Sequence, residues 1–238
     1  MALEKQLWIA CSDGNVEEVK TLLQNEQIDI NWKDSEPPEA SMTPFFIACK
    51  RGYVEIVKVL LNDKRVDVNY EVTKFGWTAF WIACFRGSIE IVKVLLNDER
   101  VDLNKGDNNG GTPFREACSF GHIEIVKLLL SDERVDINKP NKYEATPFCA
   151  ACYNGQTEVV KILLYDQRVD INKTTNYSQT PFLLACQKGH LEIIQNILAS
   201  GREIDINKAD KEGKTPLDYS REVRRMDIVE LIETFQKN

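Results

Sequence analysis

The chain has 238 residues, 43% hydrophobic and 28% charged, with a formal net charge of −7. That composition can fill a core and excludes a disordered chain, and the acidic balance argues against general nucleic-acid binding, which relies on clustered Lys and Arg. The N-terminus, Met1-Ala-Leu-Glu-Lys-Gln-Leu-Trp8, carries charge where a signal peptide needs an apolar run, and no stretch approaches the roughly 20 apolar residues of a membrane span.

Six of the seven cysteines, Cys11, Cys49, Cys84, Cys118, Cys152 and Cys186, stand 38, 35, 34, 34 and 34 residues apart. A near-constant period of this size means stacked supersecondary units. Residues at one place in stacked units are core rather than cross-links, so reduced thiols in the cytoplasm or nucleus are expected. The first unit, 1-40, has Ala-Cys and Gly14 but no Thr-Pro, as suits an N-terminal cap. The segment Asp34-Ser-Glu-Pro-Pro-Glu-Ala-Ser41 that follows adds four residues to the regular eight between Asn and Thr. Loop length is thermodynamically cheap, so this is a tolerated insertion, overhanging the aromatic-rich half of the chain.

The second unit, 41-75, opens on Thr43-Pro44, and the opening returns at Thr78 in 76-109, Thr112 in 110-143, Thr146 in 144-177, Thr180 in 178-212 and Thr215 in 213-238. Thr accepts from an orphan N–H at a helix start, and Pro at the first helical position has its φ preset, so each opening predicts a helix. A glycine three residues past each cysteine ends that helix early. A second helix follows, as in Glu55-Ile-Val-Lys-Val-Leu-Leu61, with apolar residues at helical spacing. Asp-x-Asn comes next, from Asp29/Asn31 to Asp205/Asn207, six times in all, and predicts the turn into an extended finger. In the last unit Arg224 replaces the glycine, and Arg221, Glu222, Arg224 and Arg225 supply the polar face of a C-terminal cap.

Thr-Pro-Phe, Ala-Cys, Gly-His, Glu-Ile-Val-Lys, Leu-Leu and Asp-Ile-Asn, in that order and spacing, resemble the ankyrin repeat over nearly the whole chain. The resemblance implies an all-α repeat solenoid: one domain over 1-238, of stacked helix-turn-helix units with extended β-hairpin-like fingers. The family's Thr-Pro-Leu-His becomes Thr-Pro-Phe here, and its His position is held by Phe46, Trp81, Arg115, Cys149, Leu183 and Asp218, which removes the source of an interfinger hydrogen bond.

Catalysis needs convergent titratable groups, and the chain has only two histidines, His122 and His190, at one repeat position two units apart. Each reads as a turn or capping contact. Cys149-Ala-Ala-Cys152 matches C-x-x-C but lies within one predicted helix and has no second pair, so neither zinc nor redox chemistry follows. Arg65, Arg100, Arg134, Arg168 and Arg202 sit beside acidic residues and read as a self-neutralising edge linking units weakly. Lys105, Lys139, Lys173 and Lys208 read as solubilising, with a basic stripe along the finger roots for an acidic partner as the competing reading.

In a solenoid the repeated residues build the core, so partner specificity must lie at positions that vary on the concave side, which the family lines with fingers and first helices. Residues three and seven after Thr78, Trp81 and Phe85, share a helix face, with Trp77 and Phe75 on the finger. The equivalent places in the first two units are Trp8, Met42, Phe46 and Lys50. Later units offer Arg115, Tyr153, Tyr143 and Tyr177, with Ser119, Cys149, Leu183 and Gln187 at the remaining places. Trp8, Phe46 and Trp81 are expected to form a row of aromatic anchors for a partner engaged mainly by units one to three; packing against fingers is the competing reading. The predicted function is that of a monomeric scaffold or adaptor for another protein or peptide, without cofactor, metal, nucleic acid or membrane. A dedicated inhibitor occluding an enzyme or transcription factor is the alternative.

Overall fold

Each Thr that opens a repeat caps a helix through its side chain, the Oγ1 of Thr43, Thr78, Thr112, Thr146, Thr180 and Thr215 accepting from the backbone N–H three residues on at 3.0–3.2 Å. In the computed structural model, which describes residues 2–33, 41–72 and 74–237, the described residues form fourteen helices; six start at these Thr caps, and five first helices stop at a left-handed glycine. The insertion at 34–40 lies outside the described residues. The chain divides into two compact units, Met1–Asn108 and Asn109–Asn238.

In the first unit the helices are α1 (Leu3–Asp13), α2 (Val16–Leu23), α3 (Pro44–Arg51), α4 (Val54–Leu61), α5 (Ala79–Arg86) and α6 (Ile89–Leu96). First helices pack on first helices, α1 on α3 and α3 on α5, while α2, α4 and α6 form the other layer. The second unit repeats this with α7 (Pro113–Phe120), α8 (Ile123–Leu130), α9 (Pro147–Tyr153), α10 (Thr157–Tyr165), α11 (Pro181–Lys188), α12 (Leu191–Ala199), α13 (Pro216–Glu222) and α14 (Met226–Phe235).

The core runs between these layers. Phe45, Phe80, Phe114, Phe148 and Phe182, the Phe of each Thr-Pro-Phe or Thr-Ala-Phe, are at most 2% exposed. Burial of such a ring stabilises by about 1.5–3 kcal/mol. All seven cysteines are buried and none is in a disulfide. Burial pushes the thiols of Cys11, Cys49, Cys84 and Cys152 well above their ordinary range and Cys186 to about 12, so these behave as small hydrophobes.

The expected β-hairpin-like fingers form no strands among the described residues, although a backbone bond closes several of them, as from Asn141 N–H to Ala145 C=O at 3.1 Å and from Thr175 N–H to Gln179 C=O at 3.0 Å. Among the described residues the one bridge is the antiparallel pair Val72 and Trp77. Elsewhere a side-chain acceptor closes the finger: Asn141 Oδ1 accepts from the Tyr143 and Ala145 N–H groups, Thr175 Oγ1 from Tyr177 and Gln179, and Asp210 Oδ1 from Glu212 and Lys214. A turn this tight satisfies its donors locally and leaves too little chain for a ladder. Fingers do join one another, through backbone bonds such as Asn108 N–H to Phe75 C=O at 2.9 Å and Asn176 N–H to Tyr143 C=O at 2.9 Å. Loss of the family's His therefore does not leave them unconnected.

Repeats are also tied by polar ladders. The Asp of each Asp-x-Asn forms the expected local turn, as Asp67 Oδ1 accepts from Asn69 N–H at 3.1 Å. The Asn then bridges to the next repeat: Asn69 Nδ2 donates to Arg100 C=O at 2.7 Å, and its Oδ1 accepts from Asp102 N–H at 2.8 Å. Asn31 and Asn138 do the same. The arginines reach the other way. Arg100 pairs with Asp98 at 2.6 Å and donates to Leu61 C=O, at the C-terminal end of α4, while Arg168 pairs with Asp166 and donates to Leu130 C=O at the end of α8. A cation at a helix C-terminus meets orphan carbonyls and the negative end of the dipole, so this edge is more structural than its sequence suggested.

Candidate functional site

Helix α5 and the finger before it bring four rings together. Phe75 stacks on Trp77 with centroids 4.3 Å apart, Trp77 on Trp81 at 5.0 Å, and Trp81 on Phe85 at 5.1 Å, with interplanar angles of 7–16°. Trp77 and Phe85 are themselves only 6.4 Å apart. A straight column would separate them by much more, so these three rings form a triangle. Trp81 is 3% exposed and is the buried floor of this triangle, whereas Phe75 is 38% exposed and Trp77 and Phe85 are half-buried. The Lys74 ammonium lies 5.1 Å from the Phe75 ring centroid.

The expected open row of Trp8, Phe46 and Trp81 is closed. Phe46 is 1% exposed, and Trp8 turns its indole N–H to the Met42 carbonyl at 2.9 Å, burying both residues. These side chains hold one place in three successive repeats, but Trp8 meets the Met42 carbonyl of the next repeat and Trp81 packs under Trp77 of its own finger. What remains accessible in this unit is Phe75, Trp77, Phe85 and the half-buried Lys50, whose Nζ lies 3.6 Å from Met42 Sδ.

In the second unit the corresponding places are polar or filled. Arg115 folds onto Glu116, which is 7% exposed, and Cys149 and Leu183 are buried. Tyr143 and Tyr177 are exposed on finger tips, and Tyr153 carries the Lys188 ammonium 4.3 Å above its ring. Tyr153 and Tyr177 line a depression of about 510 Å³ with Gln187 and Tyr219. Tyr219 donates to Asp210 at 2.7 Å, and that bond holds its hydroxyl up at about 12. His190 Nε2 meets the Tyr153 carbonyl at 3.1 Å, from the N-terminal edge of α12 to the end of α9. Gln156 makes the equivalent bond to Ser119 C=O. Gly155 leaves room for that imidazole, since a Cβ there would lie 2.7 Å from His190 Cε1. Among the described residues no group of three or more His, Cys, Asp or Glu could hold a metal, and no helix is long and apolar enough to cross a membrane.

Paired short helices, Thr caps, glycine stops and Asn bridges recur together, and the family model for ankyrin repeats (3 copies) matches residues 4–72, 64–141, 99–175 and 148–237. The chain belongs to the ankyrin-repeat family. Ankyrin repeats are generally protein–protein interaction modules and typically non-catalytic. No curated protein gives a significant match to the chain.

Proposed function

We propose that this ankyrin-repeat protein is a non-enzymatic scaffold or adaptor that holds a partner protein or peptide on the face built by the first helices and fingers of its first three repeats. The observation that carries this reading is the aromatic cluster of the third repeat, where Phe75 and Trp77 stand partly exposed above a buried Trp81. Aromatic side chains supply much of the energy at interaction hot spots, and an exposed group of them over a rigid floor is already ordered before a partner arrives. Seven buried thiols, none in a disulfide, fit a reducing compartment, cytoplasm or nucleus.

The test is affinity capture by the wild-type chain and by Phe75→Ala and Trp77→Ala variants, followed by mass spectrometry and titration of the captured partner. A partner retained by wild type and bound at least about thirtyfold more weakly by both variants, the factor expected for a hot spot, supports the reading. A partner bound equally by all three, or weakened only by Tyr143→Ala, Tyr153→Ala or Tyr177→Ala, places the interface elsewhere.

A further inference from the structure

The cluster in the first unit differs from its counterparts in the second by charge as well as by aromaticity. In two repeats of the second unit the residue eight places after the Thr reaches the residue seven places after the Thr of the preceding repeat: Asn154 donates to the Ser119 hydroxyl at 2.9 Å, and the Lys188 ammonium covers the Tyr153 ring. By this repeat equivalence Arg86 is directed to the place of Lys50. Arg86 is exposed and follows Phe85 directly; Lys74 is exposed and covers Phe75. Lys74 against Phe75 and Arg86 directly after Phe85 thus bring positive charge to the cluster, and the positions of Phe85 and Arg86 hold Lys50 and Arg51 one repeat earlier, in a chain whose net charge is −7. The same two positions in the second unit hold Ser119, Phe120, Tyr153, Asn154, Gln187 and Lys188, with one cation among them.

We infer that the first-unit surface selects an acidic peptide segment, one presenting apolar or aromatic anchors to Phe75, Trp77 and Phe85 with Asp or Glu beside them to meet Lys74 and Arg86. This rests on the partner-binding reading above and names the chemistry of the partner. Complementary charge around an apolar centre steers encounter and excludes partners of like sign. Aromatic rings ringed by cations could also suit single-stranded nucleic acid, but bases bind by stacking on free ring faces. Here Trp77 and Phe85 each pack on Trp81, and Phe75 lies between Trp77 and the Lys74 ammonium, which leaves few free ring faces. Ring edges remain, and aliphatic and aromatic side chains pack against edges.

The test pans a random twelve-residue peptide display library on the full chain, with Phe75→Ala and a K74E/R86E double variant in parallel, then titrates enriched peptides and a twelve-residue oligothymidylate by tryptophan fluorescence. Enriched peptides are expected to carry net negative charge and apolar anchors, and to bind wild type at least about tenfold more tightly than their Glu→Gln, Asp→Asn versions. Their affinity should fall with added salt and be lost in K74E/R86E, which should instead enrich basic peptides. Neutral or basic peptides enriched on wild type and lost with Phe75→Ala would overturn the acidic selectivity while leaving the binding surface standing. No enrichment over Phe75→Ala would overturn the surface itself, and tighter binding of the oligothymidylate than of any peptide would overturn the inference in favour of nucleic acid.

Discussion

Trp77 and Trp81 lie with ring centroids 5.0 Å apart and planes 7° from parallel, yet one is half-buried and the other 3% exposed. The pair therefore splits into a surface ring and the floor that holds it. Trp81→Ala would remove that floor and leave a cavity under Trp77 and Phe85. A loss of about 3–5 kcal/mol in urea unfolding is expected, the range for truncating a buried Trp. Phe75→Ala should cost about 1 kcal/mol, the worth of one aromatic pair at an exposed site. Equal costs for the two would mean that Trp81 is not the packing centre of the cluster.

Asn69 bridges two repeats with both ends of its amide, to Arg100 C=O and from Asp102 N–H. Asn69→Ala leaves a donor and an acceptor without partners, and about 1–3 kcal/mol of stability should go with them. Because each repeat depends on its neighbours, the effect should be local first. Hydrogen exchange at the Asp102 amide should accelerate well before exchange in the α3 core; uniform acceleration across the unit would contradict a bridge acting at one repeat boundary.

Much of this fold was legible in the sequence because its determinants are local. Thr43 to Thr215 cap through their own hydroxyls, Gly52 and Gly87 stop helices by their own φ, and Cys49 or Phe80 recur because each repeat buries the same place. Arg224, read as the substitute for a helix-ending glycine, does take a positive φ of 57°. What could not be read was the relation between repeats. The spacing that puts Trp8, Phe46 and Trp81 on one face says nothing of whether a neighbouring finger covers it. Likewise the second role of Asn69 needs the backbone of a residue 31 positions away. For the Asn bridge a signal existed: local turn chemistry is satisfied by Asp alone, so an Asn repeated two residues after each Asp calls for a further partner.

Glu144 and Ser178 occupy finger tips at φ of 57° and 61°, the place where Gly76, Gly110 and Gly213 sit at 70–78°. A side chain in this left-handed region costs about 1–2 kcal/mol, partly offset in a Gly variant by the greater freedom of its unfolded chain. Glu144→Gly and Ser178→Gly are each expected to stabilise by about 0.5–1 kcal/mol in urea unfolding. Glu144 also meets Lys173 at 3.4 Å, an exposed pair of small worth, so Ser178→Gly is the cleaner measurement. Destabilisation by Ser178→Gly would show that its side chain contributes more than its backbone strain removes.

The four pairs Asp63–Arg65, Asp98–Arg100, Asp132–Arg134 and Asp166–Arg168 share one geometry, with Nη2 to Oδ2 at 2.6 Å in each. The hydrogen bond from the arginine two residues on holds each carboxyl below the ordinary carboxylate range, against a smaller opposing effect of partial burial. A folded-state pKa below the unfolded one means that the unfolded chain binds more protons as the pH falls, so the stabilisation is present above the unfolded value, about 3.9, and is lost as the pH drops through the folded values. Stability should therefore hold from neutral pH to about 5 and then decline below about 4. Each pair alone contributes little because it is partly exposed. Replacing all four aspartates by Asn removes four such titrations together, and it also leaves Arg100 and Arg168 to hold the Leu61 and Leu130 carbonyls without an anionic partner. That variant should be less stable at pH 7 and show a shallower decline in urea midpoint between pH 5 and pH 3, whereas a profile parallel to wild type would mean that the acid sensitivity lies in other carboxylates.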